Sequence, residues 1–140
     1  MRLEDSLGEL AKLQQEGQIR HIGVSNFSVA ELERAAGIAR IVSVQNRYNI
    51  TDRRSDDVIA YCENRKMAFI PWYPLAAGEH AARDSGSREL ERIAKQHSMT
   101  TAQAAIAWLL ARSPVMLPIP GTSSVAHLEE NIAAAGVGIQ

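Results

Sequence analysis

The sequence predicts an α/β protein with about four parallel strands, and three observations carry this prediction. Helical and strand-like segments alternate along most of the 140 residues. The predicted helices carry apolar residues at the spacing of one buried face. The strand segments are short apolar runs rich in β-branched residues, a pattern typical of strands buried between layers. Alternation of this kind favours parallel strands joined by right-handed crossovers.

Each element of the first half has its own signal. Leucines spaced by three and four residues predict the first helix, and Gly17 ends it. An apolar run around Gly23 predicts a closely packed strand, and Ser28 with Glu31 forms a capping box for the next helix. Further apolar runs predict two more strands, with a helix capped by Ser55 between them. The predicted elements are a helix over 3–16, a strand over 19–24, a helix over 29–39, a strand over 41–48, a helix after 55 and a strand over 67–72.

The second half continues the alternation after a loop predicted over 74–86. Thr100 and Gln103 form a second capping box at the start of an apolar helix. Pro118 lies within the fourth predicted strand, where a central strand would need its missing N–H. The predicted elements are helices over 88–97 and from 101 onward, a strand over 115–119 and a helix over 125–135.

Composition excludes several classes of protein. The net charge of −1 gives no strong attraction to nucleic acid or anionic membranes. The single cysteine, Cys62, excludes an internal disulfide framework and fits a reducing compartment. No apolar run approaches the ~20 residues of a membrane span, and the first residues do not form a signal peptide. We therefore expect a single cytoplasmic domain over residues 1–140, and the histidine spacings predict no metal site.

Ser25 and Asn26 follow a buried strand and precede the capping residue of a helix. Ligands of parallel α/β proteins are held at this end of the strands. The same residue types also favour an ordinary strand-to-helix turn, so that reading stays open. Gln45 and Trp72 end neighbouring strands and could equally be a buried hydrogen-bonding residue and a core aromatic.

Four separated segments resemble the aldo-keto reductase family. They are Ile-Gly-Val-Ser-Asn-Phe over 22–27, Val-Gln-Asn-Arg-Tyr-Asn over 44–49, Pro-Trp-Tyr-Pro-Leu over 71–75, and Pro-Ile-Pro-Gly-Thr over 118–122 with Leu-Glu-Glu-Asn behind it. The resemblance implies half of a TIM (β/α)8 barrel, from the fourth helix through strands five to eight. It also implies reduction of aldehydes and ketones by NADPH. The family's catalytic Asp, Tyr, Lys and His come from earlier strands, so the chain is expected to be an inactive, cofactor-binding half: a fragment or one partner of a split enzyme.

The resemblance assigns roles residue by residue. Ser25, Asn26 and Gln45 match the residues that hold the nicotinamide carboxamide, and Trp72 matches the aromatic that stacks on the ring. The other matches are Leu75 for the pyrophosphate, Gly121, Thr122 and Ser123 for the adenosine phosphates, His127 for the 2′-phosphate, and Glu130 and Asn131 for adenine. Many members have Lys and Arg where this chain has Gly121 and His127, so NAD stays open as a cofactor beside NADP. By residue type alone, His127, Glu130 and Asn131 also fit an ordinary polar helix face.

A second hypothesis is a non-catalytic module that binds nucleotide or only assembles. A half-barrel exposes two strand edges and a sheet face expected to be apolar. These surfaces predict a homodimer that pairs the edges into a pseudo-barrel, or aggregation. A complementary N-terminal half-barrel is the other expected partner.

Overall fold

The computed structural model describes residues 2–75 and 85–139. This part of the chain contains six α-helices and a three-stranded parallel sheet in the predicted alternating order. None of these helices is long and apolar enough to cross a bilayer. The elements are α1 (Leu3–Gln15), β1 (Ile22–Ser25), α2 (Val29–Ala36), β2 (Ile41–Arg47), α3 (Asp56–Arg65), β3 (Ala68–Trp72), α4 (Ser85–His97), α5 (Thr101–Arg112), α6 (Val125–Ala133) and a 3-10 turn (Ala134–Gly136).

The sheet has the order β1-β2-β3, and both strand pairs are parallel. Its register aligns Ser25 with Gln45 and Gln45 with Ile70, and it pairs Arg47 with Trp72. All three strands therefore end at one edge of the sheet. This parallel, three-strand arrangement confirms the predicted α/β class and places the predicted strand-end residues side by side.

The prediction of a fourth strand over 115–119 is wrong in extent. The segment forms one parallel bridge, between Met116 and Phe69, rather than a strand. Two backbone hydrogen bonds hold it: Phe69 N donates to the Val115 carbonyl and Leu117 N donates to the Phe69 carbonyl, both at 2.8 Å. Pairing ends there because Pro118 and Pro120 lack the N–H groups that a continuing ladder requires.

Several predicted boundaries also differ. β1 begins at Ile22, where pairing with Ile41 of β2 starts, and the Arg20 carbonyl before it accepts from the Gln14 side chain at 2.7 Å. α2 ends at Ala36, and α4 already includes Ser85, which lies inside the predicted 74–86 loop. Residues 76–84 of that loop lie outside the described residues.

Two of the predicted caps are confirmed and one is wrong. Ser28 with Glu31, and Thr100 with Gln103, form complete capping boxes. Ser55 precedes α3 but makes no capping hydrogen bond with its side chain. Its hydroxyl instead accepts a hydrogen bond from Asn46 Nδ2 at 3.4 Å, so the Ser55 side chain contacts β2 and does not cap α3.

The main core lies between the sheet and its helices. Val44, Tyr48, Phe69 and Cys62 are fully buried there. Tyr48 packs edge-on against Phe69, with ring centroids 5.8 Å apart, and stacks on Trp108 at 6.0 Å. These aromatic contacts connect the sheet to α5 and fix the helical layer behind the strand ends.

In the described part of the chain, the opposite face of the sheet is partly exposed, and β1 to β3 line it with both polar and apolar residues. Strand alternation places eight residues on this inner face: Gly23, Ser25, Ser43, Gln45, Arg47, Ala68, Ile70 and Trp72. Among these eight, the large apolar side chains are Ile70 and Trp72, so this part of the face is mixed rather than uniformly apolar. Leu117, which follows the bridge residue Met116, is apolar and 54% exposed. A Cβ at Gly23 would overlap with Ser43 Oγ, which confirms the close approach predicted for this glycine.

Candidate functional site

The turn after β1 is attached to the end of β2. Ser25 Oγ donates to the Gln45 carbonyl at 2.9 Å, and Asn26 N donates to the same oxygen at 3.0 Å. Asn26 has a φ of 58°, a left-handed conformation that asparagine tolerates better than most residues. The turn therefore bends sharply while both side chains remain at the carboxyl edge of the sheet.

Trp72 completes the group from the third strand. Its Nε1 donates to Asn26 Oδ1 at 3.0 Å, a bond that spans the end of β2. The Arg47 guanidinium carbon lies 5.6 Å from the centre of the Trp72 ring and 5.0 Å from that of Tyr73. Ser25, Asn26, Gln45 and Trp72 are thus brought together at one edge of one sheet.

A cleft of 470 Å³ opens beside this group. Its lining includes Asn26, Asn46 and Trp72 together with Arg47 and Arg54, and it does not include Ser25 or Gln45. Both guanidinium groups pair with Asp52, Arg47 Nε at 3.2 Å and Arg54 NH2 at 2.7 Å. The hydrogen bonds from Arg54 hold the pKa of the Asp52 carboxyl below its ordinary value. This carboxylate keeps the two arginines in place while one positive charge remains uncompensated by it.

The other predicted site residues lie apart from this group. Leu75 packs against the small core between α4 and α5. The turn with Gly121, Thr122 and Ser123 is exposed and precedes α6. His127, Glu130 and Asn131 lie on α6, where His127 N donates to the Ser124 cap and the Glu130 carbonyl accepts from Gln103 Nε2 at 3.2 Å. Because the Phe69–Met116 bridge is parallel, this turn follows a segment that runs toward the same sheet edge as β3.

Asn46 and Arg47 were not singled out from the sequence, although they lie within the site. Asn46 is 6% exposed and shares the helix-facing side of β2 with Val44 and Tyr48. A polar residue at a buried strand position is the signal that could have identified it. Arg47 ends the inner face beside Trp72, and the period-two alternation of β2 would have placed it there.

A second polar cluster lies behind the strand ends. Tyr48 OH donates to Asp56 Oδ1 at 2.6 Å, and Arg112 donates to both residues, from Nε to the hydroxyl at 3.2 Å and from NH2 to the carboxylate at 2.9 Å. Burial, aided by the Asp56 carboxylate, raises the pKa of Tyr48 to about 12. The cluster joins β2 to the start of α3 and the end of α5, so it supports the site rather than forming part of the cleft.

Within residues 2–75 and 85–139, no three His, Cys, Asp or Glu side chains are grouped closely enough to hold a metal ion. The polar groups at the strand ends are amides, a hydroxyl and an indole. They can donate and accept hydrogen bonds around a flat polar ligand.

The family model of the aldo/keto reductase family matches residues 2–139. The chain belongs to this family. Two relatives of this aldo/keto reductase chain are 46% identical to it. One is an uncharacterized oxidoreductase of Schizosaccharomyces pombe, matched over 134 residues that cover 96% of this chain and 43% of that protein. The other is the pyridoxine 4-dehydrogenase of Escherichia coli, matched over 132 residues that cover 94% of this chain and 45% of that protein.

Solved structures of the family agree with the fold. A thermostable aldo-keto reductase in complex with the inhibitor epalrestat superposes with a TM-score of 0.87 at 34% identity, covering all of this chain and 52% of that one. An aldo/keto reductase from Klebsiella pneumoniae in complex with NADP and acetate gives a TM-score of 0.84 at 25% identity, covering 99% of this chain and 50% of that one. The aldo/keto reductase chain described here thus spans about half the length of the relatives that it matches.

Proposed function

We propose that residues 1–140 form one unit, the nicotinamide-binding half of an aldo/keto reductase barrel that contains strands five to eight. The convergence of Ser25, Asn26, Gln45 and Trp72 at one sheet edge carries this proposal. The NADP bound in the Klebsiella pneumoniae structure supports it. The activity of the complete enzyme would be carbonyl reduction with NADPH, or with NADH.

The proposed site fits the ring that it would hold. A nicotinamide carboxamide presents one acceptor and two donor hydrogens. Among the described residues, Asn26 Nδ2 and Gln45 Nε2 donate to no protein group, so both can donate to the carboxamide oxygen. Trp72 offers a flat apolar surface on which the ring can stack, and Arg47 approaches the same indole. When bound, the cofactor would supply hydride transfer, while these side chains fix which ring face is presented.

We further propose that the rest of the cofactor extends toward the α6 end. Leu75 would contact the pyrophosphate, and Gly121, Thr122 and Ser123 would face the adenosine phosphates with exposed hydroxyl groups. His127 would approach the 2′-phosphate, and Glu130 and Asn131 would contact adenine. His127 would attract the 2′-phosphate by charge only when it is protonated, and Gly121 offers no side chain, so we expect NADH to bind almost as well as NADPH.

The proton donor of the reaction is proposed to lie outside these 140 residues. A proton donor at neutral pH needs a lowered pKa, whereas the pKa of the buried Tyr48 is raised to about 12. Tyr61 lies in the middle of α3, and its ring contacts the guanidinium of Arg65 at the end of that helix. The chain alone is therefore expected to bind cofactor without turning over a carbonyl substrate.

Titration with NADPH and NADH, followed by tryptophan emission, tests the proposed site. The chain has only two tryptophans, and Trp108 stacks on Tyr48 away from the strand ends. We expect NADPH to quench the emission of the wild type and of Trp108→Phe, and to leave Trp72→Phe almost unchanged. If neither nucleotide changes the tryptophan emission of the folded wild type, the proposal is wrong.

Gln45→Ala tests the carboxamide contact without disturbing the protein, because the Gln45 side chain donates to no described residue. We expect NADPH binding to weaken about three- to tenfold, the loss of one hydrogen bond. Ser43→Ala is the matched control, since Ser43 lies two residues earlier on the same strand face and should bind as the wild type does. If the Gln45 variant and the wild type bind NADPH with equal affinity, Gln45 does not contact the cofactor.

A second candidate function, assembly without catalysis, is favoured by the open edge of the sheet. β1 is an edge strand, and no strand of the described residues pairs with its outer side. Unpaired N–H and C=O groups of this kind are a template for strand addition. We propose that the isolated chain pairs this edge with a second copy, and that a complementary N-terminal half-barrel competes for it.

Sedimentation velocity measures this association directly. We expect a species of twice the monomer mass at micromolar concentration, converted to a heterodimer when the first half of a family barrel is added. A wild type that stays monomeric throughout the concentration range contradicts the assembly proposal.

A further inference from the structure

Asn46 is a buried amide in an apolar layer. It lies on the helix-facing side of β2 between Val44 and Tyr48, which are fully buried. A buried amide is costly unless its donors and acceptor are all used. The Asn46 side chain meets this condition, because its oxygen accepts one hydrogen bond and its nitrogen donates two.

Two of these bonds reach the backbone of a single residue. Phe27 N donates to Asn46 Oδ1 at 3.0 Å, and Asn46 Nδ2 donates to the Phe27 carbonyl at 2.8 Å. The ladder between β1 and β2 ends one residue earlier, where Asn26 N donates to the Gln45 carbonyl. The Asn46 amide therefore continues the pairing with its side chain, at the point where the backbone turns away from the sheet.

These hydrogen bonds fix the backbone on both sides of Asn26. Its own N–H is bonded to β2, and the next peptide is held by Asn46. Between these points Asn26 keeps a φ of 58°, a conformation that persists when its surroundings enforce it. In that conformation its side chain accepts from Trp72 Nε1.

We infer that Asn46 is a positioning residue: it holds the 25–27 turn so that Asn26 stays bonded to Trp72. The effect on cofactor affinity rests on the proposed function, whereas the effect on the Asn26–Trp72 bond does not. Asn46→Asp is nearly isosteric and keeps the acceptor for Phe27 N, but it places a second oxygen against the Phe27 carbonyl. Asn46→Ala removes both bonds.

The test uses the indole N–H resonances of Trp72 and Trp108, which a ¹H–¹⁵N spectrum of the full chain resolves without any ligand. In Asn46→Asp and Asn46→Ala we expect the Trp72 signal to move toward the position of a water-exposed indole, with the Trp108 signal unchanged. The dissociation constant of NADPH should rise about five- to tenfold. Ser55→Ala is the matched control, because it loses the 3.4 Å bond from Asn46 and keeps both bonds to Phe27.

The outcomes separate the two proposals. An unmoved Trp72 signal in a folded Asn46 variant overturns the positioning role. A moved signal in a protein whose wild type binds neither NADPH nor NADH supports the positioning role and refutes the proposed function. If both variants lose the Trp108 signal as well, amide exchange of Phe27 in the wild type decides: at least about tenfold protection supports the role, and free exchange overturns it.

Discussion

Phe69→Ala should lower the free energy of unfolding by about 3–5 kcal/mol, the usual cost of emptying a core phenylalanine site. Phe69 is fully buried and packs edge-on against Tyr48. Its backbone also carries the bridge to the 115–117 segment, which the substitution leaves in place. Because whole domains are stable by about 5–15 kcal/mol, this variant should approach the limit of folding.

Urea unfolding followed by circular dichroism measures the loss. Leu117→Ala is the matched control, because Leu117 is hydrogen-bonded to the Phe69 backbone but is 54% exposed. We expect the control to change stability by less than about 1 kcal/mol. Similar losses in the two variants would show that Phe69 is not central to the core.

Between about pH 9 and pH 11, the wild type should lose stability as the Cys62 thiol becomes ionised in the unfolded chain. The Cys62→Ala variant should lack this part of the loss. Burial, with a smaller effect of Glu63, raises the pKa of the fully buried Cys62 thiol from 9.0 to about 11. Above pH 9 the unfolded chain releases this proton while the folded chain retains it. The thiol therefore does not lower the free energy of unfolding below pH 9, and it lowers that free energy by roughly 2–3 kcal/mol as the pH rises through 11.

The comparison is made between slopes rather than absolute stabilities. Removing the thiol group also leaves a small cavity, which shifts the whole curve of Cys62→Ala by a constant amount. Tyr48 contributes a further alkaline loss, between about pH 10 and pH 12, to both proteins and cancels in the difference. Parallel curves for wild type and variant between pH 9 and pH 11 would contradict a raised thiol pKa.

The sequence predicted the alternating order of elements because each has a strong local signal. The capping boxes at Ser28 and Thr100 and the apolar runs of β2 and β3 are examples. The errors fall where local signals compete with long-range pairing. The apolar run from Val115 to Ile119 predicts a strand, but the prolines limit its pairing to one bridge. The position of Ser55 predicts a helix cap, but its hydroxyl accepts a hydrogen bond from Asn46 instead.

The candidate site shows the same division. The placement of Ser25, Gln45 and Trp72 at one edge follows from strand ends alone, and the structure brings them together. The Trp72–Asn26 bond could not be predicted, because it joins residues 46 positions apart and depends on the left-handed turn at Asn26. The roles in binding of the residues from Leu75 to Asn131 stay predictions, since no single signal in the sequence orients them.

The mixed lining of the β1–β3 inner face has a consequence for association. Water can hydrate the serine, glutamine and arginine side chains of this face. Burying them against another protein would remove that hydration, so contact across these strands gains little hydrophobic free energy. Specific hydrogen-bond and charge partners would have to replace the lost water.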